Sequence, residues 1–117
     1  PPRSSSAASD VYKRQPGFSH CDTGITQGTK GVASVHMARY EGGFPPATRH
    51  DSDILFNFVL EGSMTLAATG EPEVEVSPGD AFVIPPDLVH QYTRCSPDLE
   101  LLEVSLPGRF NTQAIDH

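Results

Sequence analysis

Two consecutive prolines, Pro85-Pro86, stand between two apolar runs in the stretch Gly79 to Arg94, GDAFVIPPDLVHQYTR. Proline has no N–H to give to a sheet ladder, so the pair fits only at a strand end or a bend. The run Ala81 to Ile84 must therefore stop there, and the residues beyond the prolines begin a new strand with His90 in its middle. The same punctuation recurs along the chain: 10 Gly and 11 Pro among 117 residues cut it into short runs rich in β-branched and aromatic side chains. Short runs between dense turn signals predict an all-β sandwich or barrel.

Several of those runs can be assigned. Gly31 to Tyr40 alternates as a strand, with Val32, Ser34, His36, Ala38 and Tyr40 on one face and Ala33, Val35, Met37 and Arg39 on the other. Gly42 to Pro46 is a loop by composition. The polar run Thr48 to Asp53 then feeds Ile54 to Leu60, where Leu55, Asn57 and Val59 share one face and Phe56, Phe58 and Leu60 the other. Ser63 to Thr69 returns, Gly70-Glu71-Pro72 turns, and Glu73 to Val76 is a half-solvated strand. Leu99 to Leu106 is the last strand, ended by Pro107-Gly108, and the tail to His117 is polar. Before Gly31, the turn-rich Pro16 to Thr29 holds at most one short strand.

The stretch from Gly79 to Arg94 resembles the second conserved motif of the cupin family, G-x5-P-x-G-x2-H-x3-N. Gly79, Pro85 and His90 fall at its spacing, while Asp87 stands for the second glycine and Arg94 for the asparagine. Upstream, GGFPPATRHDSDILFNFVLEG resembles the first motif, G-x5-H-x-H-x3or4-E-x6-G. Aligning Gly42 and Gly62 with its glycines puts Thr48 and His50 on the two histidine positions and Leu55 on the glutamate. Starting at Gly43 instead puts Arg49 and Asp51 on the histidine positions. The first register keeps a second imidazole. The resemblance implies a jelly-roll, double-stranded β-helix barrel of the small single-domain, RmlC-like type, with its core at about residues 31–106 of a domain spanning 16–117. It also implies an inward Leu55 face on the strand from Ile54 to Leu60.

In that family the two histidines, the glutamate and the later histidine hold a divalent metal. The resemblance therefore marks His50 and His90 as metal ligands, for Zn, Fe, Ni, Cu or Mn, with the anionic ligand lost at Leu55. Asp51, Asp53 or His36 are the residues able to complete the set, since three or four ligands are the usual requirement. The same barrel without metal is a small-molecule pocket bounded by Thr48, His50, Asn57, His90 and His36, in which an imidazole can act as acid or base. Two functions are expected on these grounds: a binding pocket at a degenerate metal site, or a metal-dependent dioxygenase, isomerase or lyase acting on a small oxygenated molecule. No G-x-S-x-G elbow, phosphate-binding glycine loop or H-E-x-x-H helix occurs.

A formal charge of −7 argues against a nucleic-acid or anionic-membrane partner, both of which need a basic footprint. Residues 1–15 are polar and aperiodic, which predicts a disordered or loosely attached arm. Asp10 to Gln15, DVYKRQ, also resembles the translation of a sequencing-library adapter, an assembly scar on a metagenomic read; a genuine basic linker is the other reading. No apolar run has the length of a signal or membrane-spanning segment. Cys21 and Cys95 stand far apart without metal-site spacing, as free thiols of a cytoplasmic protein do; a disulfide between them needs Cα atoms within about 7 Å. A face carrying Phe56, Phe58 and Leu60 is large for a monomer, which predicts a homodimer unless a terminal segment of the same chain covers it.

Overall fold

The computed structural model describes residues 11–12, for which only the backbone is considered, 17–108 and 110–115. Its strands are β1 (Val11–Tyr12), β2 (Phe18–Asp22), β3 (Ser34–Tyr40), β4 (Thr48–His50), β5 (Ile54–Glu61), β6 (Met64–Ala68), β7 (Val74–Val76), β8 (Ala81–Val83), β9 (His90–Thr93), β10 (Glu100–Leu106) and β11 (Thr112–Ala114). One turn of helix, α1 (Ile25–Gly28), joins β2 to β3. Antiparallel pairing gives a six-stranded sheet in the order β1-β2-β3-β10-β5-β8 and a five-stranded sheet in the order β11-β4-β9-β6-β7. The two sheets form the all-β barrel expected from the turn spacing, in the jelly-roll form that the family resemblance implies.

Alternation decides which side chains lie between the sheets. On β5 the inner residues Leu55, Asn57 and Val59 are buried while Phe56 and Phe58 are half-buried. On β10 the inner set is Leu101, Glu103 and Ser105, and on β3 it is Ser34, His36 and Ala38. Phe18, Val59, Met64, Ile84, Tyr92, Leu99 and Leu101 make the apolar part of the core, with Tyr92 meeting Phe18 edge to face at 5.7 Å between centroids. Fully burying one such side chain contributes about 1.5–3 kcal/mol, so these residues rather than the loops hold the sheets together. Gly62 shows why a glycine ends β5. Its φ is +77°, and a Cβ there would lie 2.6 Å from the Leu99 Cα, inside the backbone of the facing turn.

The structure corrects the sequence reading at four places. His90 opens β9 rather than sitting mid-strand, because the proline bend continues through Asp87, whose φ of 65° cannot belong to a strand. The polar tail is not idle: Thr112–Ala114 pairs with Thr48–His50 and closes the edge of the five-stranded sheet. Val11 and Tyr12, within the predicted loose arm, pair with Cys21 and His20; residues 1–10 and 13–15 of that arm, like His117, lie outside the described residues. Finally, α1 adds a helical turn where only turns and a strand were expected.

The outer face of the six-stranded sheet carries apolar side chains in register. Met37, Leu102, Phe58 and Ala81 are successive cross-strand partners, as are Val35, Val104, Phe56 and Val83. β11 joins the other sheet, while β1 and β2 extend this one sideways, so neither described terminal segment lies across these rows.

Candidate functional site

Three inward residues of the five-stranded sheet form the site. β4 is only three residues long, yet its alternation is sharp: Thr48 and His50 are each 2% exposed and Arg49 points out. Inward placement of Thr48 and His50 corresponds to the motif register that starts at Gly42; in the register from Gly43, Arg49 and Asp51 are both exposed. β9 runs beside β4 with Thr48 and His90 as Cα partners. The imidazoles of His50 and His90 therefore meet inside the barrel, 6.3 Å between centroids and at 72°.

The two rings are not equivalent. The backbone N–H of Ser52 donates to His50 Nδ1 at 3.0 Å, so that nitrogen carries a lone pair and the proton sits on Nε2, which donates to the carbonyl of Ile84 at 2.8 Å. Both nitrogens of His50 are thus engaged by backbone. The His50 carbonyl in turn accepts the N–H of Asp87 at 2.7 Å, so His50 fastens the proline bend to β4 from both sides. His90 makes one backbone bond: its Nδ1–H donates to the Leu88 carbonyl at 2.9 Å. Its Nε2 lone pair remains, with the Thr48 hydroxyl 3.4 Å away. Burial holds the His90 pKa below the ordinary imidazole value; the Leu88 bond opposes this in part and the nearby His50 reinforces it. His90 is therefore a neutral ring at pH 7, able to accept a proton or a hydrogen bond at one atom.

The remaining predicted residues do not gather round this pair. Leu55, on the glutamate position, is buried and faces inward from the six-stranded sheet. Asp51 is exposed and turned to Asn111, whose backbone N–H donates to it at 2.7 Å and which, as the main cause, lowers its pKa. Asp53 is exposed. His36 and Asn57 do face inward, but from the other sheet. Among the described residues no group of three or more His, Cys, Asp or Glu is arranged to hold a metal ion. A metal centre needs deprotonated donors converging on one point. Here one imidazole offers a lone pair, the second has none uncommitted, and the carboxylate is a leucine. The donor set does not fit a resident divalent ion.

Sequence reasoning missed four contributors. Ser52, fully buried, gives its backbone N–H to His50 and its hydroxyl to the carbonyls of Ile54 and Leu106, both at 3.0 Å. Tyr92 lies against His90 at 5.7 Å between centroids with the rings tilted by 46°, and its alternation with His90 along one strand was the available signal. Phe110 packs on His50 at 5.9 Å from a tail whose composition gave no sign of it. Glu103 lies buried on β10 between its Cα partners His36 and Asn57, 3.9 Å from His20. The Asn57 amide beside it makes no hydrogen bond through either polar atom among the described residues.

Two clefts approach the site and share Asp87. One, of about 260 Å³, is bounded by Arg49, His50, Asp51, Asn111 and Gln113. The other, of about 590 Å³, opens between β7 and β8 and is walled by Leu66, Val74, Val83 and Leu88 with Glu71 at its rim. Cys21 and Cys95 are both free, and burial pushes the Cys95 thiol up to about 11, leaving it a poor nucleophile at neutral pH.

Comparison with known proteins gives a consistent picture. A family model for the cupin domain matches residues 35–105. No curated protein sequence matches the chain. Among solved structures, KdgF from Halomonas sp. superposes with a TM-score of 0.68 at 22% identity, over 86% of this chain and 89% of that one. The nucleoside dehydratase Pac13 from Streptomyces gives 0.69 at 15% identity, over 92% and 86%. Oxalate decarboxylase from Bacillus subtilis, which has Mn(II) centres, gives 0.71 at 20% identity, over 92% of this chain and 31% of that larger one. At these identities the likeness speaks for the fold alone.

Proposed function

The chain belongs to the cupin family, and on that premise we propose that it is a small-molecule-binding cupin whose working group is the His90 Nε2 lone pair, without a resident metal. The observation that carries this reading is the double engagement of His50: a ring with Ser52 N–H on one nitrogen and Ile84 C=O on the other cannot ligate without surrendering a backbone bond. Thr48 Oγ1 and His90 Nε2 form a donor and acceptor pair that can hold a ligand hydroxyl or N–H, and His90 can take its proton. Burial of the ring, with Tyr92 against it at 5.7 Å between centroids, keeps it neutral. The alternative, a metal-dependent dioxygenase, isomerase or lyase, requires His50 to break one of its bonds and Asp51, Asp53 or His36 to move in.

Metal analysis of protein purified without chelator or added metal tests the choice. The expected result is less than stoichiometric metal, with ¹⁵N imidazole shifts reporting an Nε2–H tautomer for His50 and Nδ1–H for His90. One transition metal per chain that survives dialysis and is lost in both His50→Ala and His90→Ala overturns the reading.

We further propose a homodimer formed through the outer face of the six-stranded sheet, where Ile54 is 44% and Leu60 37% exposed. Sedimentation at monomer mass across the micromolar range would remove it. The two free thiols suit a reducing, cytoplasmic setting.

A further inference from the structure

We propose that the cleft between β7 and β8 selects a small amphipathic cation, an apolar ring or chain carrying one protonated amine. This rests on the pocket reading above and names its ligand class. The cleft wall is continuous with the site: Ala68 is the Cα partner of His90 and Leu66 that of Tyr92, so these side chains share one face of the sheet. At about 590 Å³ the cleft has the size of small-molecule sites, and most of its lining is apolar. A hydrocarbon body set against Leu66, Val74, Val83 and Leu88 loses contact with water there.

The polar part of the lining decides the sign of the ligand. Among the described residues its two ionisable side chains, Glu71 and Asp87, are both carboxylates, and no described basic residue lines the cleft. Among the described residues neither carboxylate has an ion-pair partner or a side-chain hydrogen bond, whereas Arg39, the exposed base of β3, is paired with Glu100 at 3.0 Å. An anionic ligand would meet two like charges on a chain that is already at −7. A cation meets two complementary ones beside a low-dielectric wall. Asp87 is also held in place: its N–H is tied to the His50 carbonyl at 2.7 Å, and its backbone is left-handed at φ 65°, which orients the side chain from a fixed bend.

Three probes with one ring and different charge test this by ¹⁵N NMR titration: benzylamine, benzyl alcohol and benzoate at pH 7. The expected result is shifts at the Val74, Val83 and Leu88 amides, with benzylammonium bound roughly five- to tenfold more tightly than benzyl alcohol, and benzoate weakest. Asp87→Asn tolerates the same backbone. It should erase most of that preference while leaving benzyl alcohol within about twofold. Equal affinities for amine and alcohol, a preference for benzoate, or no shift at those amides overturns the assignment. The His90 reading fails separately, through the ring tautomers and the metal content, and survives if only the probe order is wrong.

Discussion

The two inner faces of the barrel both carry buried polar side chains among their apolar ones, and they accommodate them in opposite ways. On the five-stranded sheet, His50 and His90 give their ring nitrogens to backbone atoms of Ser52, Ile84 and Leu88. On the six-stranded sheet, Glu103 is the cross-strand partner of His36 on one side and Asn57 on the other, with His20 nearby, and the Asn57 amide finds no hydrogen-bond partner among the described residues. Backbone-anchored rings are fixed by the strands and bend around them. In the side-chain row Glu103 is the member the others face, as the Cα partner of both His36 and Asn57 and 3.9 Å from His20.

The row should therefore break hardest. Glu103→Ala leaves His20 buried beside an empty position, and urea unfolding should register a loss on the order of 3 kcal/mol. Asn57→Leu, by contrast, removes two unsatisfied buried atoms and should be neutral or up to about 1 kcal/mol stabilising. If Asn57→Leu were as damaging as Glu103→Ala, Asn57 would have a partner in solution and the contrast between the faces would close.

Within the five-stranded face the same comparison can be sharpened between its two rings. His50→Ala strands the Ser52 N–H and the Ile84 carbonyl and opens a cavity under Phe110, which should cost about 3 kcal/mol. His90→Ala gives up one backbone bond and should cost about 1–2 kcal/mol. Equal losses in urea midpoint would mean that His50 is no clip.

Asp87 and Arg94 occupy positions that the second motif gives to glycine and asparagine, the residues most at ease in a left-handed backbone. Their φ values of 65° and 51° explain the motif's choice and show that the bend keeps its shape after substitution. Asp87→Gly should raise stability by roughly 0.5 kcal/mol, the relief of strain offset in part by a freer unfolded chain. No gain in unfolding midpoint would indicate that the Asp87 carboxylate contributes a stabilising contact of its own.

These positions also mark how far sequence could reach. Proline and glycine punctuation and period-two alternation on β3 and β5 were enough to place the main strands, and motif spacing to mark His50, His90 and the inward Leu55 face, because each is a local property of a short run. The Phe110 contact with His50 and the pairing of β11 with β4 come from a tail that is merely polar in sequence and acquires meaning through residues some 60 positions away, while the Ser52 bond to His50 depends on a local turn that composition does not mark. His20, His36, Glu103 and Asn57 sit on three strands and a hairpin partner, with no motif to connect them. Only the register of β2, β3, β10 and β5 brings them together.

The smallest effect expected is also the most selective, since it concerns a single proton. His90 is buried with its pKa held below the ordinary 6.5, so on acidification the unfolded chain takes up that proton first. The contribution is complete above about pH 6.5, declines as pH falls toward the folded value, and levels off below it. Asp51 acts in the same direction in a separate window, below its ordinary 3.8, and being fully exposed it adds little. His90→Gln should therefore flatten the urea-midpoint profile below about pH 6.5, where the wild-type ring begins to lose its contribution. A variant profile that overlays the wild type through the upper window would show that His90 titrates freely, and a freely titrating ring is not shielded enough to be the neutral acceptor on which the pocket depends.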